Sequence, residues 1–266
     1  MKTVLITGCS SGFGLETAKY FLNRGWKVIA TMRTPCENVL PRSELLRVLA
    51  LNVTDPESIR KAVEAAGPID VLVNNAGIGW LNALEGTPID IVREVFETNT
   101  FGTMAVTQAV LPQFRQRKSG VIVNITSSVT LKPLPLLSVY SASKAALNAF
   151  TESLALELHQ FNVRVSLVIP GRAPETRFGE NAKSRIRSRG GFPEAYADLA
   201  QSVLAGLERQ SSAITRSLDV AEAVWRAAND PSCPIRIAAG VDAVALAEIS
   251  DQGYRNEVRG HASNSG

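Results

Sequence analysis

Short apolar runs rich in β-branched residues alternate along this chain with longer stretches whose apolar positions recur at helical spacing. Thr3–Thr7 is the first such run. A glycine-rich turn and a helical stretch over about Phe13–Asn23 follow it, and Gly25 stands where a left-handed residue commonly closes a helix. Further strands are expected over Trp26–Met32, within Leu45–Asn52, and over Ile69–Asn74, Val121–Thr126 and Val163–Ile169, with a short seventh near Ile235–Ala238. Asp55-Pro56 reads as a helix start, the aspartate capping and the proline entering the first turn; that helix should end near Gly67. Thr87-Pro88 repeats the signal, and the helical pattern beyond it ends in Arg115-Gln116-Arg117-Lys118, cations that suit the negative end of a helix dipole. Ser141–Phe161 reads as one helix.

Strands that are apolar nearly throughout belong to a sheet covered on both faces, and their alternation with helices makes that sheet parallel. The pattern therefore predicts an α/β fold: a doubly wound (Rossmann-type) parallel sheet of about seven strands with helices on both faces. No linker or repeat divides the chain, so residues 1–250 are expected to form one domain, followed by a polar tail over 251–266. Such folds bind ligands at the carboxyl ends of their strands.

Composition narrows the function. The 266 residues are 45% hydrophobic and 20% charged, ordinary for a globular core. A net charge of +3, from 28 basic and 25 acidic residues, gives no case for nucleic acid. Cys9, Cys36 and Cys233 are far apart and odd in number, fitting neither a disulfide framework nor a zinc site. No His/Asp/Glu cluster has metal-ligand spacing, so no metal is expected. No apolar run is long enough for a membrane span and no leader pattern opens the chain, so a cytoplasmic location is expected.

Gly8-Cys9-Ser10-Ser11-Gly12-Phe13-Gly14 lies between the first strand and the first helix. Glycines there permit a tight turn and let the backbone approach a pyrophosphate, which then faces the unpaired N–H groups of the helix. Asn74-Asn75-Ala76-Gly77 follows the fourth strand, Asn99 comes after it, Ser127 ends the fifth strand, Tyr140-Ser141-Ala142-Ser143-Lys144 follows, and Pro170-Gly171 closes the sixth. With its T-G-x-x-x-G-x-G turn, this ordered set resembles the short-chain dehydrogenase/reductase family, in its compact single-domain branch, over nearly the whole chain.

Oxidising an alcohol removes a hydride from carbon and a proton from oxygen; a cofactor takes the first and the protein must handle the second. A tyrosine hydroxyl with its usual pKa of about 10 is a poor base near neutrality, and a nearby ammonium is expected to lower it. Tyr140 and Lys144, at i and i+4 on one helix, share a face. The resemblance implies that Tyr140 is the general acid/base, that Lys144 tunes it and binds the nicotinamide ribose, and that Ser127 hydrogen-bonds the substrate oxygen. It further implies that Asn99 holds a water in a proton relay and that Asn75, Ala76 and Gly77 line the cofactor cleft beside Gly8, Ser10, Ser11, Gly12, Phe13 and Gly14.

NAD selectivity usually comes from an acid at the end of the second strand. Here the run is Ala30-Thr31-Met32-Arg33-Thr34, with no acid and with Arg33 placed for a 2′-phosphate, so NADP(H) is expected over NAD. Leu51-Asn52-Val53 stands where many relatives carry L-D-V, so Asn52 and Val53 are the expected adenine contacts. Thr176 is the expected threonine over the cofactor carboxamide behind Pro170-Gly171, one position late. The segment from Arg172 to Arg189 carries six cations and reads either as a solvated charged helix or as a recognition surface for an anionic substrate. The apolar stretch Val129–Leu137, with Trp80 and Leu81, reads equally as the wall of a lipophilic pocket or as plain packing.

The expected function is hydride transfer between NADP(H) and an alcohol or carbonyl compound, a lipophilic one for preference, in a homodimer or homotetramer paired, as the resemblance implies, through the helices near Asn99–Gln116 and Ser141–Phe161. A non-catalytic nicotinamide nucleotide sensor on the same fold is the alternative. A dehydratase or epimerase would usually need an added substrate domain. A hydrolase would need a histidine partner that neither His159 nor His261 supplies.

Overall fold

The computed structural model describes residues 1–209 and 213–250; the polar tail expected from 251 lies outside them. Seven parallel strands form one sheet: β1 (Thr3–Thr7), β2 (Lys27–Met32), β3 (Leu46–Ala50), β4 (Val71–Asn74), β5 (Gly120–Ile125), β6 (Val163–Pro170) and β7 (Arg236–Ala239). Their spatial order is β3-β2-β1-β4-β5-β6-β7. The chain thus winds outward from β1 to β3, returns to the centre and winds out the other way, which places a crevice between β1 and β4.

Among the described residues, helices α1 (Gly12–Leu22), α2 (Pro56–Ala66), α3 (Ile89–Phe96), α4 (Gly102–Arg117), α5 (Ser138–Leu158), α6 (Arg177–Ser188), α7 (Ala197–Arg209) and α8 (Ser217–Asn229) connect and cover the strands. Residues 241–250 are also helical. The two-residue period of the strands sorts the core into two layers. Val4 and Ile6 of β1, with Val71 and Val73 of β4, face Phe21 of α1 and Val220 and Val224 of α8. Leu5 and Leu72, from the same strands, face Ile59 of α2, Val106, Val110 and Phe114 of α4, and Leu154 and Leu158 of α5. Near-continuous apolar strands are what such two-sided burial demands.

Most element boundaries fall within a residue or two of those expected. Asp55 caps α2 as expected, its Oδ1 accepting from the Glu57 and Ser58 amides at 2.9 and 3.3 Å. Thr87 does not cap α3. Its hydroxyl donates to the Ala83 carbonyl (2.8 Å) and accepts from the Trp80 indole (3.0 Å), so the helix begins at Ile89 without a side-chain cap. Between α3 and α4 the chain makes a π-helical turn, Glu97–Phe101, a feature with no signature in the apolar period. Trp80 and Leu81 belong to a third apolar cluster with Ile91, Val95, Val139 and Ile186, and are 1% and 8% exposed. Among the described residues no helix is long and apolar enough to cross a membrane.

Candidate active site

Every strand that borders the crevice ends in one of the sequence motifs. The turn after β1 runs Gly8 at φ +76° and Gly12 at φ +57°, conformations that side chains rarely adopt. A Cβ at Gly14 would lie 2.4 Å from the Gly8 carbonyl oxygen, so the first turn of α1 closes on the loop only because that position has none. Ser11 precedes α1 in extended backbone, its side chain forms no cap, and no acid occupies the first turn, leaving the positive end of the helix dipole uncompensated. Ser10 is exposed, while Phe13 packs partly against the core. Cys9 is fully buried, and burial pushes its thiol up to about 12.

Asn75 ties this turn to the end of β4. Its Nδ2 donates to the carbonyls of Thr7 and Gly8 at 2.9 and 3.0 Å, and the amides of Asn75 and Ala76 both donate to the Thr7 hydroxyl at 3.0 Å. Gly77 comes next, where a Cβ would lie 3.2 Å from Asn99 Oδ1 and 3.6 Å from Lys144 Nζ. Asn99 sits in the π turn, fully buried. Its side chain clamps Ile78, accepting from the Ile78 amide (2.8 Å) and donating to its carbonyl (2.9 Å), and donates as well to Ser143 Oγ (3.1 Å). The Ser143 hydroxyl in turn donates to the Tyr140 carbonyl at 2.7 Å, and Thr100 donates to the Ser143 carbonyl at 3.0 Å. The π turn is thereby fastened to the segment of α5 that carries Tyr140 and Lys144. Ser143 lay inside the Y-x-x-x-K pattern but had no expected role.

Tyr140 and Lys144 are 6% and 4% exposed. The Tyr140 hydroxyl is pushed up to about 12 by burial, against a hydrogen bond with the Ser127 side chain that pulls it down. The expected lowering by Lys144 is therefore overturned in this structure: the ammonium donates to the Ile125 carbonyl at 2.9 Å, and loss of solvent dominates at the phenol. Burial also brings Lys144 down to about 8. Ser127 stands in extended backbone at the end of β5, its Oγ accepting from the Val129 amide at 3.4 Å.

The remaining expected residues lie around the same rim. Arg33 directly follows β2 and is exposed; the Cys9 amide donates to the Thr31 carbonyl at 2.9 Å, joining that strand end to the glycine turn. Asn52 accepts from the Thr54 amide at 3.2 Å, so its side-chain carbonyl is engaged in its own turn, and Val53 is buried against Gly102. Pro170 ends β6. A Cβ on Gly171 would meet the Asp242 carboxylate, whose Oδ2 accepts from the Arg172 amide at 2.6 Å and whose Oδ1 pairs with Thr215 Oγ1 at 2.7 Å. Thr215 Oγ1 also accepts from the Gly171 amide at 2.8 Å. No sequence pattern links Thr215 and Asp242 to Pro170-Gly171, because contacts across 44 and 70 residues leave no local trace. Thr176 is buried and its methyl lies where a Cβ on Gly12 would touch it at 3.4 Å, so the chain behind Gly171 reaches back over the glycine turn.

A family model described as short chain dehydrogenase matches residues 2–186. The chain belongs to that family. Its curated relatives include the uncharacterized oxidoreductase YusZ of Bacillus subtilis, 36% identical over 85% of this chain and 84% of that protein. The 3-ketodihydrosphingosine reductase of Bacteroides thetaiotaomicron is 41% identical over 73% and 71% of the two chains. Among solved structures, a short-chain dehydrogenase from Streptomyces avermitilis superposes with a TM-score of 0.80 at 32% identity, covering 99% of this chain and 97% of that one. One from Burkholderia cenocepacia, in complex with NADP, gives 0.73 at 25% identity over 93% of each. This short-chain dehydrogenase is accordingly an oxidoreductase of the class acting on CH–OH groups.

Proposed function

We propose that the chain moves a hydride between NADP(H) and the carbon of a lipophilic alcohol or ketone, with Tyr140 exchanging the proton at the substrate oxygen. The observation that carries this reading is the buried Tyr140 bonded to Ser127, one helical turn from a buried Lys144, beside a glycine turn built for close approach.

The residues fit such a cofactor. Gly8, Gly12 and Gly14 leave the space, the uncapped start of α1 with Ser10, Ser11 and Phe13 would hold the pyrophosphate, and exposed Arg33 would hold the 2′-phosphate. Asn52 and Val53 would border the adenine; Asn75, Ala76, Gly77, Pro170, Gly171 and Thr176 would border the nicotinamide side, and Lys144 would bind its ribose. When bound, the nicotinamide supplies or accepts the hydride. Ser127 orients the substrate oxygen against the Tyr140 hydroxyl. A phenol held near 12 is protonated at neutral pH, so in reduction Tyr140 gives its proton to the forming alkoxide. The return proton comes through Lys144 and a water placed by Asn99.

Lipophilic substrates are supported by Phe178 of α6, a large apolar side chain left 39% exposed with its ring against Tyr140. Two cations of that helical segment are turned to α3 instead: Arg185 pairs with Glu94 at 2.5 Å and Arg189 with Asp90 at 3.2 Å. The sphingoid ketone in the name of the Bacteroides relative points the same way. Self-association through α4 and α5, to a homodimer or homotetramer, is supported by Phe101 and Leu156, 51% and 82% exposed on those helices or at their start. The test is oxidation of NADPH and NADH with long-chain ketones, alongside Arg33→Ala. NADPH is expected to be preferred at least tenfold, and Arg33→Ala to erase the preference by raising the KM for NADPH alone, as loss of a charge-assisted phosphate contact should. Equal use of both cofactors by the parent would refute the assignment.

A further inference from the structure

Phe178 is a large apolar side chain left 39% exposed on α6, yet its ring lies against the ring of Tyr140, centroids 5.6 Å apart and planes inclined by 56°. Its other edge enters a notch at Gly79, just beyond Asn75-Ala76-Gly77. A Cβ at position 79 would lie 2.8 Å from Phe178 Cε1 and Cζ and 3.3 Å from Ala182 Cβ. The absence of a side chain at 79 is thus what allows the ring to advance as far as Tyr140. Of the cations on this helix and at its end, Arg185 and Arg189 are paired with α3, while Arg177, Lys183 and Arg187 are exposed.

A rigid ring in contact with the tyrosine ring limits the room beside the oxygen that Tyr140 would serve. Groups that branch from the carbon next to the reacting carbon meet the edge of Phe178, whereas a flat or unbranched apolar chain can lie along it. We infer that Phe178, seated in the notch left by Gly79, is a specificity-determining residue that selects substrates with an unbranched or planar apolar group beside the reacting carbon. This rests on the reading of Tyr140 given above.

The experiment compares kcat/KM for two ketones of equal carbon number, one a linear methyl ketone and one carrying a tert-butyl group at the carbonyl, in the parent, Phe178→Ala, Gly79→Ala and the double variant. Phe178→Ala should raise the branched-to-linear ratio about tenfold or more, the scale on which apolar pockets discriminate. Gly79→Ala should lower turnover of the linear ketone, and that loss should vanish when Phe178→Ala is also present, since the clash is with the ring. Melting curves establish that each variant is folded; Phe178 lies on a surface helix, so the ratio for Phe178→Ala remains readable even if Gly79→Ala unfolds. An active parent whose ratio is unchanged by Phe178→Ala overturns the inference alone, as does an equal gain for both ketones, which would make the ring a plug. A parent inactive on both ketones overturns the reaction reading and this inference together.

Discussion

Lys144 is an ammonium largely withdrawn from bulk solvent, with the Ile125 carbonyl as its neighbour. Its fall from 10.5 to about 8 corresponds to a cost of keeping it charged on the order of 3 kcal/mol at neutral pH. Replacing it by methionine removes that cost and leaves the Ile125 carbonyl without its donor, a loss of about 1 kcal/mol. Lys144→Met is therefore expected to be about 2 kcal/mol more stable than the parent at pH 7, although inactive. Between about 8 and 10.5 the unfolded parent binds a proton that the folded parent does not, so parent stability rises with pH there. The margin should close across that window; Tyr140 is common to both proteins and cancels. Denaturant unfolding at pH 7, 9 and 10.5 measures it, and a lysine variant less stable at pH 7 would contradict this description of the site. Residue identities here were legible from the sequence, but the direction of the tyrosine shift was not: spacing shows that an ammonium stands four residues away, and only burial shows that desolvation outweighs it.

At the scale of elements, the glycine turn and α1 behave as one unit because Gly14 has no side chain to hold them apart. Gly14→Ala places a methyl 2.4 Å from a backbone oxygen, which cannot rotate away. Overpacking of this kind costs about 1–3 kcal/mol, and displacement of α1 should weaken nucleotide binding at least tenfold. A denaturation midpoint and a nucleotide fluorescence titration check the two effects, and normal affinity would detach the turn from the nucleotide. Strands and helix ends could be read in advance because their signals are local: apolar period, Asp55 before Pro56, Gly25 after α1. The π turn at Asn99 could not. Its cause is the Asn99 side chain gripping Ile78 and Ser143, contacts across 21 and 44 residues that no helical period encodes. Thr87 stands in a capping pattern, but its hydroxyl is engaged by Trp80 and Ala83, seven and four residues back, and leaves α3 uncapped.

Over the whole molecule, the parallel order β3-β2-β1-β4-β5-β6-β7 gathers motifs scattered from Gly8 to Thr176 onto one end of one sheet. Their order along the chain was visible beforehand; their supports were not. Asp242 and Thr215 hold the Gly171 loop, and Phe178 closes on Tyr140, from segments whose sequences carry no motif. All of this converges on the proton that Tyr140 is proposed to exchange, and the most direct measurement is single-turnover oxidation of bound NADPH by a ketone in the parent and in Tyr140→Phe. The substitution keeps the ring against Phe178 and removes only the hydroxyl. The variant is expected to bind NADPH with parental affinity while hydride transfer slows by about 10²–10⁴, the usual contribution of a general acid. Hydride transfer at the parental rate in a Tyr140→Phe variant that binds NADPH normally would contradict it.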